Sequence, residues 1–358
     1  MPAGLGDGGL RLALVMIARD EAPRIARALE SAAPFVDQMI VLDTGSVDGT
    51  QAIAAGCGAA VHDFAWVDDF SAARNAALAH SDADWNLILD ADEWLEGSTE
   101  ALAALPAGQG GFIGHVQVAS QIPQDGGTGL SSSWIPRVLP RGVRYSGRIH
   151  EQPNSTLPGR RLALRIGHDG YLAEAVARKA GRNVALLLEE LRAAPEDDYL
   201  WFQLGKEHQG RGDTEEAADC MARAYNLCPP DAPYRHALIV RAISALTEAG
   251  ALDDGRALAN AEAGNWPDSP DFWFVVGALF LEWSTAHPDQ ALSEGLPLCE
   301  YAWKRCLEIG ERDDIDGGVR GRGGHMAAHN LAVMYETFGL GEQAASYRAL
   351  SETLKRAG

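Results

Sequence analysis

Asp90-Ala91-Asp92 follows the apolar run Trp85–Leu89. Two carboxylates so spaced at a strand end offer hard oxygens to Mg²⁺ or Mn²⁺, cations that complete their shells with substrate phosphates. Taken alone, the same residues fit a solvated acidic turn. Asp43 ends a second apolar run, within Val41-Leu42-Asp43-Thr44-Gly45-Ser46-Val47-Asp48-Gly49-Thr50. A carboxylate there can accept hydrogen bonds from a base or a ribose, and the glycines let the backbone approach a ligand closely. A capped strand-to-helix turn is the plainer reading of that segment by itself, with Ser46 or Asp48 as the cap. Arg74 lies in Asp68-Asp69-Phe70-Ser71-Ala72-Ala73-Arg74-Asn75, one of few basic residues in an acidic region. It can clamp a phosphate with two N–H groups, or serve as an ordinary surface charge. Further on come Tyr145, Gly147, His150 and Glu151, then His168. Arg137 and Arg144 either contact phosphate or pair with nearby carboxylates.

These residues need a scaffold, and the first half of the chain supplies a strand–helix rhythm. Strands are expected at Leu12–Ile17, Met39–Leu42, Ala59–His62 and Trp85–Leu89, and helices at Ala22–Ala32, Asp48–Ala55 and Phe70–Ala79. That alternation predicts a mostly parallel sheet covered on both faces. Ligands of such sheets bind beyond the carboxyl ends of the strands, where Asp43 and Asp90 fall. From Gly110 the texture changes. Strands are expected at Gly111–Ala119, Ser133–Leu139 and Leu162–Gly167, with a loop over Gln124–Ser133.

From about Ala173 the pattern is helical. Trp201, Leu204, Gly205, Ala217, Ala224 and Pro229 match the offsets of the ~34-residue tetratricopeptide repeat. A second partial match runs through Leu331, Ala332, Tyr335 and Ala344. The glycine-rich segment Asp316–Gly324 interrupts the array and is expected to be a mobile loop. The boundary is placed at 173/174, giving domains 1–173 and 174–358.

Bulk composition narrows the function. The chain has 358 residues and a formal net charge of −20. That charge disfavours a broad grip on nucleic acid or on an anionic membrane, though not a small basic pocket for one diphosphate. The five cysteines show no CxxC pair, which fits reduced thiols and a cytoplasmic protein. The apolar run Leu12–Ala18 is too short to span a bilayer, and no transmembrane anchor is expected.

Together, VLDTGSVDGT, DDFSAARNAAL and LILDADEWL, in that order, resemble the family 2 glycosyltransferases of GT-A fold. The segments RYSGRIHEQP and IGHDGY, followed by KAGRNVALLLEEL, resemble a bacterial subgroup that joins a short GT-A domain to tetratricopeptide-like helices and neighbours the peptide S-glycosyltransferases. The resemblance implies a Rossmann-like α/β catalytic domain followed by an all-α repeat domain, and a nucleotide-sugar donor. It implies that Asp43 contacts the nucleoside, with Ser46 also on the nucleotide-sugar side. Asp90 lies against the ribose or the metal shell, and Arg74 and Arg137 help hold the donor. Asp92 and His168 ligate Mn²⁺ or Mg²⁺. Tyr145 and Gly147 line the acceptor side, and Glu151 or His150 takes the acceptor's proton. Stacked helix pairs make a concave surface suited to peptides, so a polypeptide acceptor is expected; covering the catalytic domain or forming a dimer is their other use. The rival enzyme, a nucleotidyltransferase, usually shows a glycine-rich basic loop after the first strand, where this chain has Ala18-Arg19-Asp20-Glu21. A non-catalytic repeat scaffold is the rival from another class.

Overall fold

A computed structural model describes residues 10–108, 111–124, 127–169 and 173–357. Two compact units result. One takes in the chain to Thr128 together with Ser133–Leu186; the other takes in Gly129–Ser132 and the chain from Leu187 onwards. The division, between Leu186 and Leu187, falls inside the helix Ala173–Ala193.

The first unit is built on strands β1 (Leu12–Ala18), β2 (Gln38–Asp43), β3 (Ala60–Asp63), β4 (Trp85–Ile88), β5 (Glu93–Glu96), β6 (Ile113–Gln124) and β7 (Gly127–Pro140). A two-stranded ribbon, β8 (Arg144–Ser146) and β9 (Gln152–Asn154), follows, and then β10 (Gly159–His168). The main sheet runs β3-β2-β1-β4-β7-β6-β10-β5. β1, β2, β3 and β4 pair in parallel. β7 then runs antiparallel to β4, and β5 antiparallel to β10.

β1 reads Leu-Ala-Leu-Val-Met-Ile-Ala because both of its faces are covered, the usual state of a central parallel strand. Leu12, Leu14 and Met16 point to one core, where helix α1 (Ile25–Ala32) contributes Ile25, Ala28, Leu29 and Ala32. That spacing is one helical stripe. Ala13 and Val15 point to the opposite core, against Ala73, Ala77 and Leu78 of a later helix. Helix α2 spans Thr50–Gly56 and that later helix, α3, spans Phe70–Ala79. The Asp69 carboxylate caps α3 by accepting from the Ala72 N–H at 2.8 Å. α2, in contrast, starts at Gly49 with no side-chain cap. Asp48 instead accepts from the N–H of Thr50 at 3.0 Å, and Ser46 Oγ accepts from the Asp20 N–H.

The strands β5, β6 and β7 depart from the sequence reading. Gln124–Ser133 is not a loop: β6 ends at Gln124 and β7 begins at Gly127, with residues 125 and 126 outside the described set. β5 was not anticipated, because four residues that include two glutamates give little periodic signal.

After the short helix α4 (Glu100–Ala103) and α5 (Ala173–Ala193), the second unit stacks helices in pairs. These are α6 (Asp198–Arg211) with α7 (Thr214–Leu227), and α8 (Arg235–Glu248) with α9 (Leu252–Glu262). α10 (Pro270–Ala286) follows, then the short turn α11 (Pro288–Gln290) and α12 (Leu296–Ile309), and last α13 (His325–Thr337) with α14 (Gly341–Ala357). Gly205 and Gly277 let neighbouring helices close up: a Cβ would stand 2.9 Å from Met221 at the first and 2.3 Å from Trp303 at the second. Trp201 and Trp273 each donate the indole N–H to the carbonyl of a proline six positions earlier, at 2.8 and 3.1 Å. The Trp273–Gly277 copy of the repeat was missed in the sequence.

The segment Asp316–Gly324, expected to be mobile, is packed. Gly318–Val319 forms a short strand, β11, against Ser131 and Ser132 of β7. Arg322 donates to the buried Asp271 carboxylate at 3.0 Å, and Asp271 also accepts from the Val319 N–H at 2.8 Å. Glycine richness here reflects tight packing, not freedom.

Candidate active site

Strand register brings the site together. β4 ends at Ile88, and Asp90 follows. Because Leu87 pairs with Val138, Arg137 arrives beside the end of β4 on the neighbouring strand. The Arg137 guanidinium donates to Asp90 at 2.7 Å and to Glu93 at 2.5 Å. From α3, Arg74 donates to the other Asp90 oxygen at 2.8 Å and to Glu151. A continuous chain of charge results: Glu151, Arg74, Asp90, Arg137, Glu93. Both arginines are buried.

Electrostatics follow from that chain. Burial opposes the Asp90 charge, but Arg137 and Arg74 outweigh it and hold the carboxyl well below the usual range. Glu93 moves the other way: burial, aided by the Asp90 charge, raises it against the pull of Arg137. Burial pushes the Tyr145 phenol up to about 12. The Tyr145 ring lies 5.7 Å from the Arg74 guanidinium carbon.

A second group forms at the end of β10. His168 pairs with Glu93 on β5 and with Ser120 on β6. Its Nδ1 lies 3.0 Å from Ser120 Oγ, and its Nε2 lies 3.7 Å from the Asp92 carboxylate. The latter is an ion-pair distance, too long for a direct hydrogen bond. Burial lowers the His168 ring, but the Asp92, Glu93 and Asp90 carboxylates outweigh it and raise it above the ordinary value. One carboxylate oxygen and one imidazole nitrogen, the latter oriented through its other ring atom, form a donor set that fits a divalent cation. Among the described residues no three His, Cys, Asp or Glu side chains gather as a complete metal site.

Asp43 stands apart at the end of β2. One of its oxygens accepts from the Gly45 and Ser46 N–H groups at 3.0 and 2.8 Å and from the Gln51 amide at 2.9 Å. These bonds, led by Ser46, overcome the effect of burial and hold the carboxyl below its usual range. The other oxygen is buried and accepts no hydrogen bond among the described residues. A buried acceptor in that state is costly unless a donor arrives.

The residues expected on the acceptor side lie on β8 and on the turn from β8 to β9. Gly147 and His150 both adopt left-handed backbone, with φ of 94° and 52°. That conformation is uncommon for histidine, and such strain gathers at functional sites. It turns the chain so that Glu151 meets Arg74. Arg144 is exposed, and its guanidinium donates to the carbonyl of Val143 at 3.0 Å.

The structure therefore joins Arg74, Asp90, Arg137 and Glu151 in one network and Asp92 with His168 in another, while Asp43 and Ser46 share the β2 turn. Arg74, expected on the diphosphate, pairs with carboxylates here, and Arg137, for which phosphate contact and carboxylate pairing were both open, does the same. Sequence reasoning gave no role to Glu93, Ser120 or Asn75. Glu93 was readable as a third carboxylate of the same motif; Ser120 carries no local signal, because only the β6–β10 register brings it to His168.

Residues 13–127 match the family model described as Glycosyl transferase family 2. A TPR repeat-containing protein of Synechococcus elongatus is 34% identical over 250 residues, 66% of this chain and 61% of that protein. The SPbeta prophage-derived glycosyltransferase SunS of Bacillus subtilis is 30% identical over 227 residues, 59% of this chain and 52% of SunS. An uncharacterized glycosyltransferase of Rickettsia felis is 39% identical over 85 residues, 24% of this chain and 30% of its own. The chain thus spans less than two thirds of the length of each of these relatives. The motif order, the strand-end carboxylates and the matched residues agree: residues 13–127 are a family 2 glycosyltransferase domain, and tetratricopeptide-like helices follow it.

Proposed function

We propose that this chain is a metal-assisted glycosyltransferase that moves a sugar from a nucleotide donor, a UDP-sugar by family resemblance, to a polypeptide acceptor with inversion. The observation that carries the reading is the placing of Asp92 and His168 at 3.7 Å beside the Asp90 network, at the carboxyl ends of the strands. Asp43, with its unengaged oxygen, would accept a donor N–H or hydroxyl of the nucleoside. Asp92 and His168 would hold Mn²⁺ or Mg²⁺. Bound there, the ion supplies Lewis-acid stabilisation to the departing diphosphate. Arg74 fixes the Glu151 carboxylate on the acceptor side, where it would take the proton as the acceptor attacks the anomeric carbon. His150 sets the turn that delivers Glu151. Helix pairs α6 to α14 would hold the polypeptide, since a stacked-repeat architecture suits extended ligands.

The test is a nucleotide-sugar screen that reads released nucleoside diphosphate in Mn²⁺, run on the parent and on Asp92→Ala. Turnover should fall by about 10²-fold or more when the ligand to the leaving-group cation is lost. Full turnover in Asp92→Ala would remove the metal role. Absence of binding to UDP, GDP and dTDP would remove the enzyme reading altogether.

A further inference from the structure

The site described above leaves Asn75 without a function, yet its contacts are specific. We propose that Asn75 is a positioning residue whose side-chain amide acts as a one-residue strand edge, fixing the backbone of Tyr145 and through it the loop that carries Glu151. The proposal rests on the glycosyltransferase reading of that loop. The Asn75 carbonyl oxygen accepts from the Tyr145 N–H at 2.8 Å. The Asn75 amide nitrogen donates to the Tyr145 carbonyl at 2.9 Å. One amide thus satisfies both main-chain groups of one residue, as a neighbouring strand would.

The surroundings explain why a side chain is used. Among the described residues β8 is paired on one side only, by β9, where Pro153 stands opposite Tyr145. Tyr145 turns both its N–H and its C=O towards Asn75, so its pair with Pro153 is of the non-hydrogen-bonded kind and β9 leaves those two groups unsatisfied. The opposite side of β8 faces α3, a helix whose own main chain is committed to internal bonds, so only a side chain can pair with Tyr145 from there. Consecutive helix residues point about 100° apart. Arg74 therefore reaches Asp90 and Glu151 while Asn75 reaches Tyr145. One turn of α3 holds both ends of the acceptor loop, Tyr145 by Asn75 and Glu151 by Arg74. Between them lie two left-handed residues, Gly147 and His150. A loop with such a backbone keeps its shape only while its ends are fixed.

Hydrogen exchange of the segment 144–151 in the full chain tests the clamp, with steady-state kinetics beside it. Asn75→Ala should speed exchange of the Tyr145 amide and lower kcat by about tenfold, in line with the cost of a misplaced catalytic group. The donor KM and UDP affinity should stay at parental values. Asn75→Asp keeps the acceptor for the Tyr145 N–H and loses the donor to its carbonyl. It should therefore retain the Tyr145 protection that Asn75→Ala loses, with an intermediate kcat. It also serves where the alanine variant fails to fold. Unchanged exchange in both variants would overturn the clamp. Faster exchange with parental kcat would overturn the positioning role. Failure of the Glu151 assignment shows separately, as parental turnover in Glu151→Gln.

Discussion

Gly167→Ala should unsettle the whole His168 corner. Gly167 pairs with Trp94 across β10 and β5. A methyl at that position would stand 2.4 Å from Cε2 and Cζ2 of Trp94 and 2.5 Å from a Glu96 carboxylate oxygen. Carbon atoms in good contact lie about 3.5–4.0 Å apart, so the ring must retreat by roughly 1.1–1.6 Å. It does not do so freely, since the Arg27 guanidinium sits over the ring at 3.8 Å and is itself tied to Asp169 at 2.6 Å. Overpacking of this kind costs about 1–3 kcal/mol, and swinging the indole outward forfeits about 0.5–1 kcal/mol of cation–π contact instead. The expected outcome in urea unfolding is a loss of about 1–3 kcal/mol with an unchanged m-value. Because His168 follows directly, Mn²⁺ affinity measured by calorimetry should fall as well. A stability change below about 0.5 kcal/mol, with parental Mn²⁺ affinity, would refute the reasoning and show that Trp94 moves without resistance.

The same substitution has the opposite sign elsewhere. Gly181, exposed within α5, has nothing within 4 Å of an added Cβ, so Gly181→Ala should raise urea stability by about 0.5–1 kcal/mol through helix propensity. Arg137→Met leaves Asp90 and Glu93 facing each other without their shared cation; it should cost about 3–5 kcal/mol in the same assay, as expected for a buried pair broken from one side. Lys206→Met concerns the helical unit. Burial, then the Arg241 charge, lowers the Lys206 ammonium from 10.5 to about 8. The unfolded chain binds that proton more tightly, so the penalty is complete below about pH 8 and is relieved as pH rises towards the unfolded value. Lys206→Met should therefore be more stable than the parent near neutral pH, and the margin should shrink in alkaline urea titrations.

Much of the fold was legible because β1 to β4 and α1 to α3 announce themselves locally. The run Leu12–Ala18 is apolar throughout, and Ile25, Ala28, Leu29 and Ala32 mark one helical face. β7 was half legible: Ser133–Leu139 was visible, but the polar residues before it read as loop until β11 supplied a partner. Site residues divided in the same way. Asp43, Asp90 and Asp92 were visible as carboxylates at strand ends. The union of Arg137 with Asp90 and of Ser120 with His168 depends on register between strands far apart in sequence, which no local pattern encodes. Asn75 adjoins Arg74 in the sequence, but a helix asparagine is ordinarily a surface residue, and its partner lies 70 positions away.

The network also constrains how a diphosphate could be held. Arg74 and Arg137 are two cations set among three carboxylates, Asp90, Glu93 and Glu151. Their positive charge is already matched within the protein. A diphosphate placed on them would have to displace Asp90 or Glu151, leaving a partly buried carboxylate without its arginine partner. Asp92 and His168 lie outside that chain of ion pairs and can bring in fresh positive charge as a divalent cation. On the proposed reading, the arginines therefore shape and orient the acidic residues, and the cation carries the leaving group's charge. An Arg137→Lys variant separates the two roles. If Arg137 orients Asp90 and Glu93, a lysine that cannot span both should lower kcat in Mn²⁺ while leaving UDP affinity intact. If Arg137 instead binds the diphosphate, UDP affinity measured by calorimetry should weaken along with kcat.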